Sequence, residues 1–180
     1  VRSNSTRLPN KAYKKINDKH TIEYVIDQSK KSNLSDIIVL CTTELPEDDK
    51  LCDIATNNGI KFFRGSEKDK LERWRGASKK YDIDFFITAD GDDLFCSSEL
   101  MDLAFRQYTE NPCDFIFGEN LVSGSFTYGI KTSALEKVCE VKDTDDTEMM
   151  WVYFTDTGLF KTSPLNNVPD VYKRSDIRMT

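Results

Sequence analysis

Apolar residues along this chain come in two kinds of run. Short, unbroken stretches of β-branched and aromatic residues recur at Ile37-Ile38-Val39-Leu40-Cys41, Lys61-Phe62-Phe63-Arg64, Phe85-Phe86-Ile87-Thr88 and Phe115-Ile116-Phe117. Runs of this length without polar alternation predict strands covered on both faces. Between them the apolar spacing is helical. Residues 21–32 place Ile22, Val25 and Ile26 on one face, and residues 46–58 begin at Pro46 and stop before Gly59. Residues 66–80 open with Ser66 and Asp69 at capping-box spacing. A fourth helix is expected from Ser97 or Ser98 through Leu100, Leu103 and Ala104 towards Asn111-Pro112. Alternating helices and strands predict an α/β fold with a largely parallel sheet.

After about residue 119 the pattern loosens. A strand is expected over Thr127–Lys131, then a helix opening at Ser133 with Glu136 as its capping partner. An acidic stretch, Asp143-Thr144-Asp145-Asp146-Thr147-Glu148, leads into Met149–Phe154, which fits either a helix or a strand. No repeat and no clear linker divides the 180 residues, so a single domain is expected.

Charge and composition narrow the function. A net charge of −6 and the lack of a basic stripe argue against general nucleic-acid binding. No apolar run approaches the ~20 residues of a membrane span. The five cysteines are odd in number and contain no C-x-x-C pair, which predicts reduced thiols and neither zinc site nor disulfide framework. No signal peptide is expected, because Val1 is followed at once by Arg2-Ser3-Asn4-Ser5, and an opening without methionine reads as an excerpt of a longer chain. One region departs from the acidic average: Arg2, Arg7, Lys11, Lys14 and Lys15 precede the first acidic residue, Asp18.

Two segments carry candidate chemistry. Arg2-Ser3-Asn4-Ser5-Thr6-Arg7-Leu8-Pro9-Asn10-Lys11 sets small hydroxyl-bearing residues between cations ahead of a helix, a composition that wraps backbone N–H groups and charge around phosphate oxygens. Thr88-Ala89-Asp90-Gly91-Asp92-Asp93 puts carboxylates at the C-terminal end of a strand, where open α/β sheets hold ligands. Magnesium takes one or two protein carboxylates and completes its shell with water and phosphate oxygens, so this turn suits it. A basic N-terminus and an acidic surface turn are the structural alternatives for each segment alone; together they supply both halves of a nucleoside-triphosphate site.

The succession R-x-x-S-T-R-L-P-x-K, C-T-T-x-x-x-E-D-D, F-R-G-S-E-x-D-x-L-x-R and I-T-A-D-G-D-D resembles the cytidylyltransferases of spore-coat polysaccharide biosynthesis, and more distantly the enzymes that make CMP-sialic acid and CMP-KDO. The resemblance covers residues 1 to about 118 and returns at Ser175–Thr180. It implies a three-layer α/β/α, Rossmann-like nucleotide-diphospho-sugar transferase fold with a mostly parallel mixed sheet, in which a first strand ahead of Arg2 holds the sheet's centre. It also implies a metal-binding aspartate one or two residues past Thr180. Residues 1–118 would form the nucleotide-binding part, and 119–180 the acceptor-binding and homodimer-forming part. By the same resemblance Arg2, Ser5, Arg7 and Lys11, with Ser3, Asn4 and Thr6 of the same loop, face the CTP phosphates. Asp92 takes Mg²⁺ with Asp90 beside it, and Ser66, Asp69 and Arg73 lie near base and ribose. Arg2, Lys11 and Asp92 are the residues implied in catalysis. Helix capping explains Ser66 and Asp69 equally well.

The chain departs from the resemblance at Phe126–Lys131, where many relatives carry acidic residues flanking the glycine and Tyr128 and Lys131 stand here. Lys131 would suit an acidic group on the acceptor. The activity implied is transfer of CMP from CTP to an acidic sugar or similar acceptor in the cytoplasm, with release of pyrophosphate and no membrane or nucleic-acid partner. A metal-dependent glycosyltransferase using Asp90-Gly91-Asp92 as its D-x-D turn, and a non-catalytic nucleotide-binding module, are the alternatives. His20, the only histidine, is expected to stand outside the chemistry.

Overall fold

The structure, a computed structural model, describes residues 1–3, 10–147 and 149–179. A 3-10 turn at Lys11–Tyr13 precedes a small hairpin of β1 (Lys15–Ile16) and β2 (Lys19–His20). Its two linking residues, Asn17 and Asp18, both have positive φ, the conformation two-residue hairpin loops demand and Asn and Asp tolerate. The other strands are β3 (Val39–Thr43), β4 (Lys61–Gly65), β5 (Phe85–Thr88), β6 (Phe115–Phe117), β7 (Tyr128–Lys131) and β8 (Thr162–Pro164). The helices are α1 (Thr21–Ser29), α2 (Asp49–Asn57), α3 (Lys70–Tyr81), α4 (Ser98–Glu110), α5 (Thr132–Val141) and α6 (Val152–Thr155).

The strands expected from the apolar runs at 61–64, 85–88 and 115–117 form there, and the one expected at 37–41 begins two residues later, at Val39. Helix ends follow local side-chain chemistry. Ser97 accepts from the amide of Leu100 and starts α4. The third helix begins at Lys70, four residues later than expected, because Asp69 is its N-cap and accepts from Glu72 N at 3.1 Å, while Ser66 accepts from Asp69 N in the turn before it. In α5 no side-chain cap forms, so the expected Ser133–Glu136 box is absent, and the helix follows directly on β7. The ambiguous segment 149–154 ends in the single turn of α6.

The sheet is more mixed than the helix–strand alternation suggests. β3 and β4 pair in parallel, as do β6 and β8, but β7 inserts antiparallel between β5 and β6, giving the order β5-β7-β6-β8. Adjacent strand residues point to opposite faces, and here they enter different cores. Phe86 and Phe115 pack under α3 and α5 with Leu71, Leu135 and Val138. Phe85, Ile87 and Ile116 pack under α4 with Leu100 and Ala104. Helices α1 and α2 close a third cluster over Leu40 with Ile22, Ile26, Leu51 and Ile54. Helices therefore cover both faces, the α/β/α sandwich.

Strands β3 and β5 do not pair with each other. Between them runs a groove of about 760 Å³, walled by Val25 and Ile26 of α1, Trp74 and Tyr81 of α3, and Met101 and Tyr108 of α4. At one end the Val1 amine donates to Cys41 O of β3 at 2.8 Å.

Candidate functional site

The carboxylate turn follows β5 directly. Asp93 N donates to Asp90 O at 3.0 Å and Asp90 N to Asp93 Oδ2 at 3.3 Å, closing the turn on itself. Asp93 is buried, and Thr127 Oγ1 donates to it at 3.2 Å, which ties the turn to the entry of β7. Gly91 is dictated by packing, since a Cβ there would lie 2.6 Å from the Val1 side chain. Asp93 thus fixes the turn, and Asp90 and Asp92 turn their carboxylates outward.

Each of those two carboxylates meets a lysine from a distant element. Lys11 Nζ, on the 3-10 turn after the N-terminal loop, is 2.5 Å from Asp92 Oδ2. Lys70 Nζ, at the start of α3, is 2.7 Å from Asp90 Oδ1. The start of the chain is held by Asp48, a residue of the C-T-T-x-x-x-E-D-D segment. Asp48 is fully buried and accepts from Ser3 N at 2.8 Å, Thr42 Oγ1 at 2.9 Å and Thr43 Oγ1 at 2.5 Å. Burial pushes its carboxyl pKa up, but the hydrogen bonds from Ser3, Thr43 and Thr42 outweigh burial and hold it below the usual carboxylate value. Asn10 N donates to Ser3 O at 3.0 Å, so the ends of the loop meet. Arg2 Nη1 donates to Glu67 O at 3.3 Å. Asn4, Ser5, Thr6 and Arg7 lie outside the described residues.

Of the base-and-ribose candidates, Ser66 and Asp69 take the structural roles of the turn and N-cap before α3. Asp69 is buried, accepts from Thr147 Oγ1 at 3.0 Å, and its Oδ2 stands 2.5 Å from Lys142 Nζ. That last contact is a buried charge pair. Arg73 is buried, donates to Ser66 O at 2.5 Å and leaves Nε without a hydrogen-bond partner. Burial, and after it the nearby charge of Arg2, lowers its pKa.

The register of β7 separates the two residues read as facing an acceptor. Tyr128 pairs with Thr88, two residues before Asp90, and its phenol is pushed up to about 12 by burial, then by the charges of Asp90 and Asp93. Lys131 pairs with Phe85 at the other end of β5, roughly 10 Å away along the strand at ~3.3 Å per residue. By this register only the Tyr128 end of β7 borders the acidic turn. His20 is structural, its ring Nδ1 lying 2.7 Å from Tyr13 O and its amide donating to Glu23.

The donor set suits magnesium. Asp90 and Asp92 are hard oxygen donors at a strand end, the donor type this ion takes one or two of, and no group of three metal-capable side chains converges among the described residues. No helix among those residues is long and apolar enough to cross a membrane.

Comparison with known proteins identifies the family. A family model described as Cytidylyltransferase matches residues 1–167. An uncharacterised protein of Methanocaldococcus jannaschii is 33% identical across the whole chain, which covers 74% of that relative. A 3-deoxy-manno-octulosonate cytidylyltransferase of Chloroherpeton thalassium is 31% identical over 63% of the chain and 46% of its own length. Among solved structures, a cytidylyltransferase from Leptospira borgpetersenii superposes with a TM-score of 0.87 at 28% identity, over 98% of this chain and 76% of that one.

Proposed function

The chain belongs to the cytidylyltransferase family of nucleotidyltransferases, and from that premise we propose that it transfers CMP from CTP to an acidic sugar or similar small acceptor, with release of pyrophosphate. The observation that supports this best is the 2.5 Å contact between Lys11 and Asp92, which joins the cationic N-terminal segment to the carboxylate turn. A polyanion with a divalent counter-ion is the ligand that uses both charges at once. The relative that acts on 3-deoxy-manno-octulosonate supports an acidic sugar as acceptor.

In this reading an acceptor oxygen attacks the α-phosphorus in line, a new P–O bond forms, and the bond to pyrophosphate breaks. Arg2 and Lys11 would hold phosphate oxygens and neutralise charge, and Asp92, with Asp90 beside it, would hold Mg²⁺. The ion's chemistry is to offset the negative charge that builds on the phosphate oxygens. Catalysis by positioning and charge needs no nucleophilic side chain. The five cysteines are free and burial raises the pKa of each, so none offers a thiolate. The reaction is placed in the cytoplasm, where CTP is supplied. Exposed Met149, Trp151, Leu159 and Val171 support a homodimer formed through the C-terminal part.

The test is pyrophosphate release from each of the four nucleoside triphosphates with a panel of sugar acids, read as phosphate after pyrophosphatase. Release from CTP that needs both Mg²⁺ and an acceptor is expected. Cleavage of a preformed sugar nucleotide without pyrophosphate would instead make the protein a glycosyltransferase.

A further inference from the structure

Lys70 is the cation of this site that no motif covers, because F-R-G-S-E-x-D-x-L-x-R leaves its position open. It stands first in α3, a twelve-residue helix, where a positive charge opposes the helix dipole. Helix stability therefore does not account for a lysine there. Its Nζ instead reaches Asp90 Oδ1 at 2.7 Å and lies over the Trp74 ring, 4.9 Å from the centroid. The cations beside it lack carboxylates. Among the described residues Arg2 donates only to Glu67 O, and Arg73 donates to Ser66 O and Glu67 O while its buried Nε has no partner. The outward carboxylates each face a lysine already, so the two guanidinium groups and any displaced lysine call for an anion from outside the chain.

We propose that Lys70 is a ligand-binding cation that exchanges Asp90 for an anionic oxygen of the ligand when a divalent cation takes the carboxylate, leaving the face of Trp74 as it does so. The proposal rests on the magnesium–nucleotide reading above. The anionic oxygen belongs either to the triphosphate or to the acidic group of the acceptor, and the two sources give different results.

Trp151→Phe leaves Trp74 as the sole tryptophan and a direct reporter of Lys70. In that protein, Trp74 emission is followed during titration with Mg²⁺–CTP, then with 3-deoxy-manno-octulosonate, and CTP binding is measured by calorimetry in parallel. If the triphosphate supplies the oxygen, Mg²⁺–CTP alone shifts Trp74 emission, and Lys70→Gln weakens CTP binding about tenfold or more while Lys70→Arg stays within about twofold. If the acceptor supplies it, emission shifts only when the sugar acid is added, and Lys70→Gln raises the acceptor KM about tenfold with CTP binding unchanged. Bound Mg²⁺–CTP and sugar acid with silent Trp74 emission would overturn the proposal, as would Lys70→Gln leaving both constants within twofold. The emission result needs no Lys70 substitution, so it decides even if Lys70→Gln fails to fold. Failure of the unsubstituted protein to bind Mg²⁺–CTP at all would end the nucleotide reading itself.

Discussion

Two neighbouring residues at the start of α3 send their charges into opposite kinds of surroundings. Asp69 pairs with Lys142 where the side chains are 3% and 7% exposed, and Lys70 pairs with Asp90 where they are 23% and 41% exposed. Lys11 and Asp92, at 32% and 31%, resemble the second case. The buried pair also caps α3 and fastens Thr147, so its members are committed to the fold. The half-exposed pairs lie at the end of β5, where water or a ligand can replace either partner at modest cost. Burial, more than distance, separates the ion pair that holds the chain together from the pairs available for chemistry.

Substitutions can break that contrast. The largest effect is expected from Lys142→Met, which leaves Asp69 as an uncompensated buried charge and should cost about 3–5 kcal/mol in urea unfolding. Adding Asp69→Asn should recover part of that loss, although the N-cap bond is weakened, and kcat of the remaining folded protein should hardly change. Asp92→Asn should do the reverse, with stability nearly unchanged and turnover reduced on the order of a hundredfold at limiting Mg²⁺. Near-normal rates would remove Asp92 from metal binding.

Asp48 sharpens the contrast through pH. Because its folded pKa is lowered, it adds stability above its unfolded value of about 4, and that stability disappears as pH falls through the folded value. Asp48→Asn should therefore be less stable than wild type at neutral pH, with the gap between their urea midpoints closing in acid. The smallest effect is expected from Lys131→Ala: the acceptor KM should stay within about twofold and stability within about 0.5 kcal/mol.

Much of this was legible in the sequence for local reasons. Unbroken runs such as Phe85–Thr88 predict a strand, and Ser97 marks a helix start through its own side chain. The cationic start and the acidic turn were legible as chemistry, and Lys11 and Asp92 do meet. What escaped is non-local. Asp48 takes Ser3 as partner 45 positions away, and Lys70 takes Asp90 after 20. No periodicity encodes either pairing. Tyr128 and Lys131 stand in one short segment of the sequence, but the register of β7 sets them at opposite ends of β5. Insertion of β7 between β5 and β6 is a choice of topology, and a strand pattern does not contain it. The roles of Ser66 and Asp69 turned on burial, which capping-box spacing alone does not report.

The central claim is that Lys11 and Asp92 act on one polyanion and its divalent counter-ion. A double-mutant cycle of Lys11→Ala and Asp92→Asn, read as the dissociation constant of CTP with Mg²⁺ and again with EDTA, tests it most directly. Each substitution should weaken binding in Mg²⁺, the two effects should be strongly non-additive there, and Asp92→Asn should lose its penalty in EDTA. Additive effects of the same size with and without Mg²⁺ would contradict the claim.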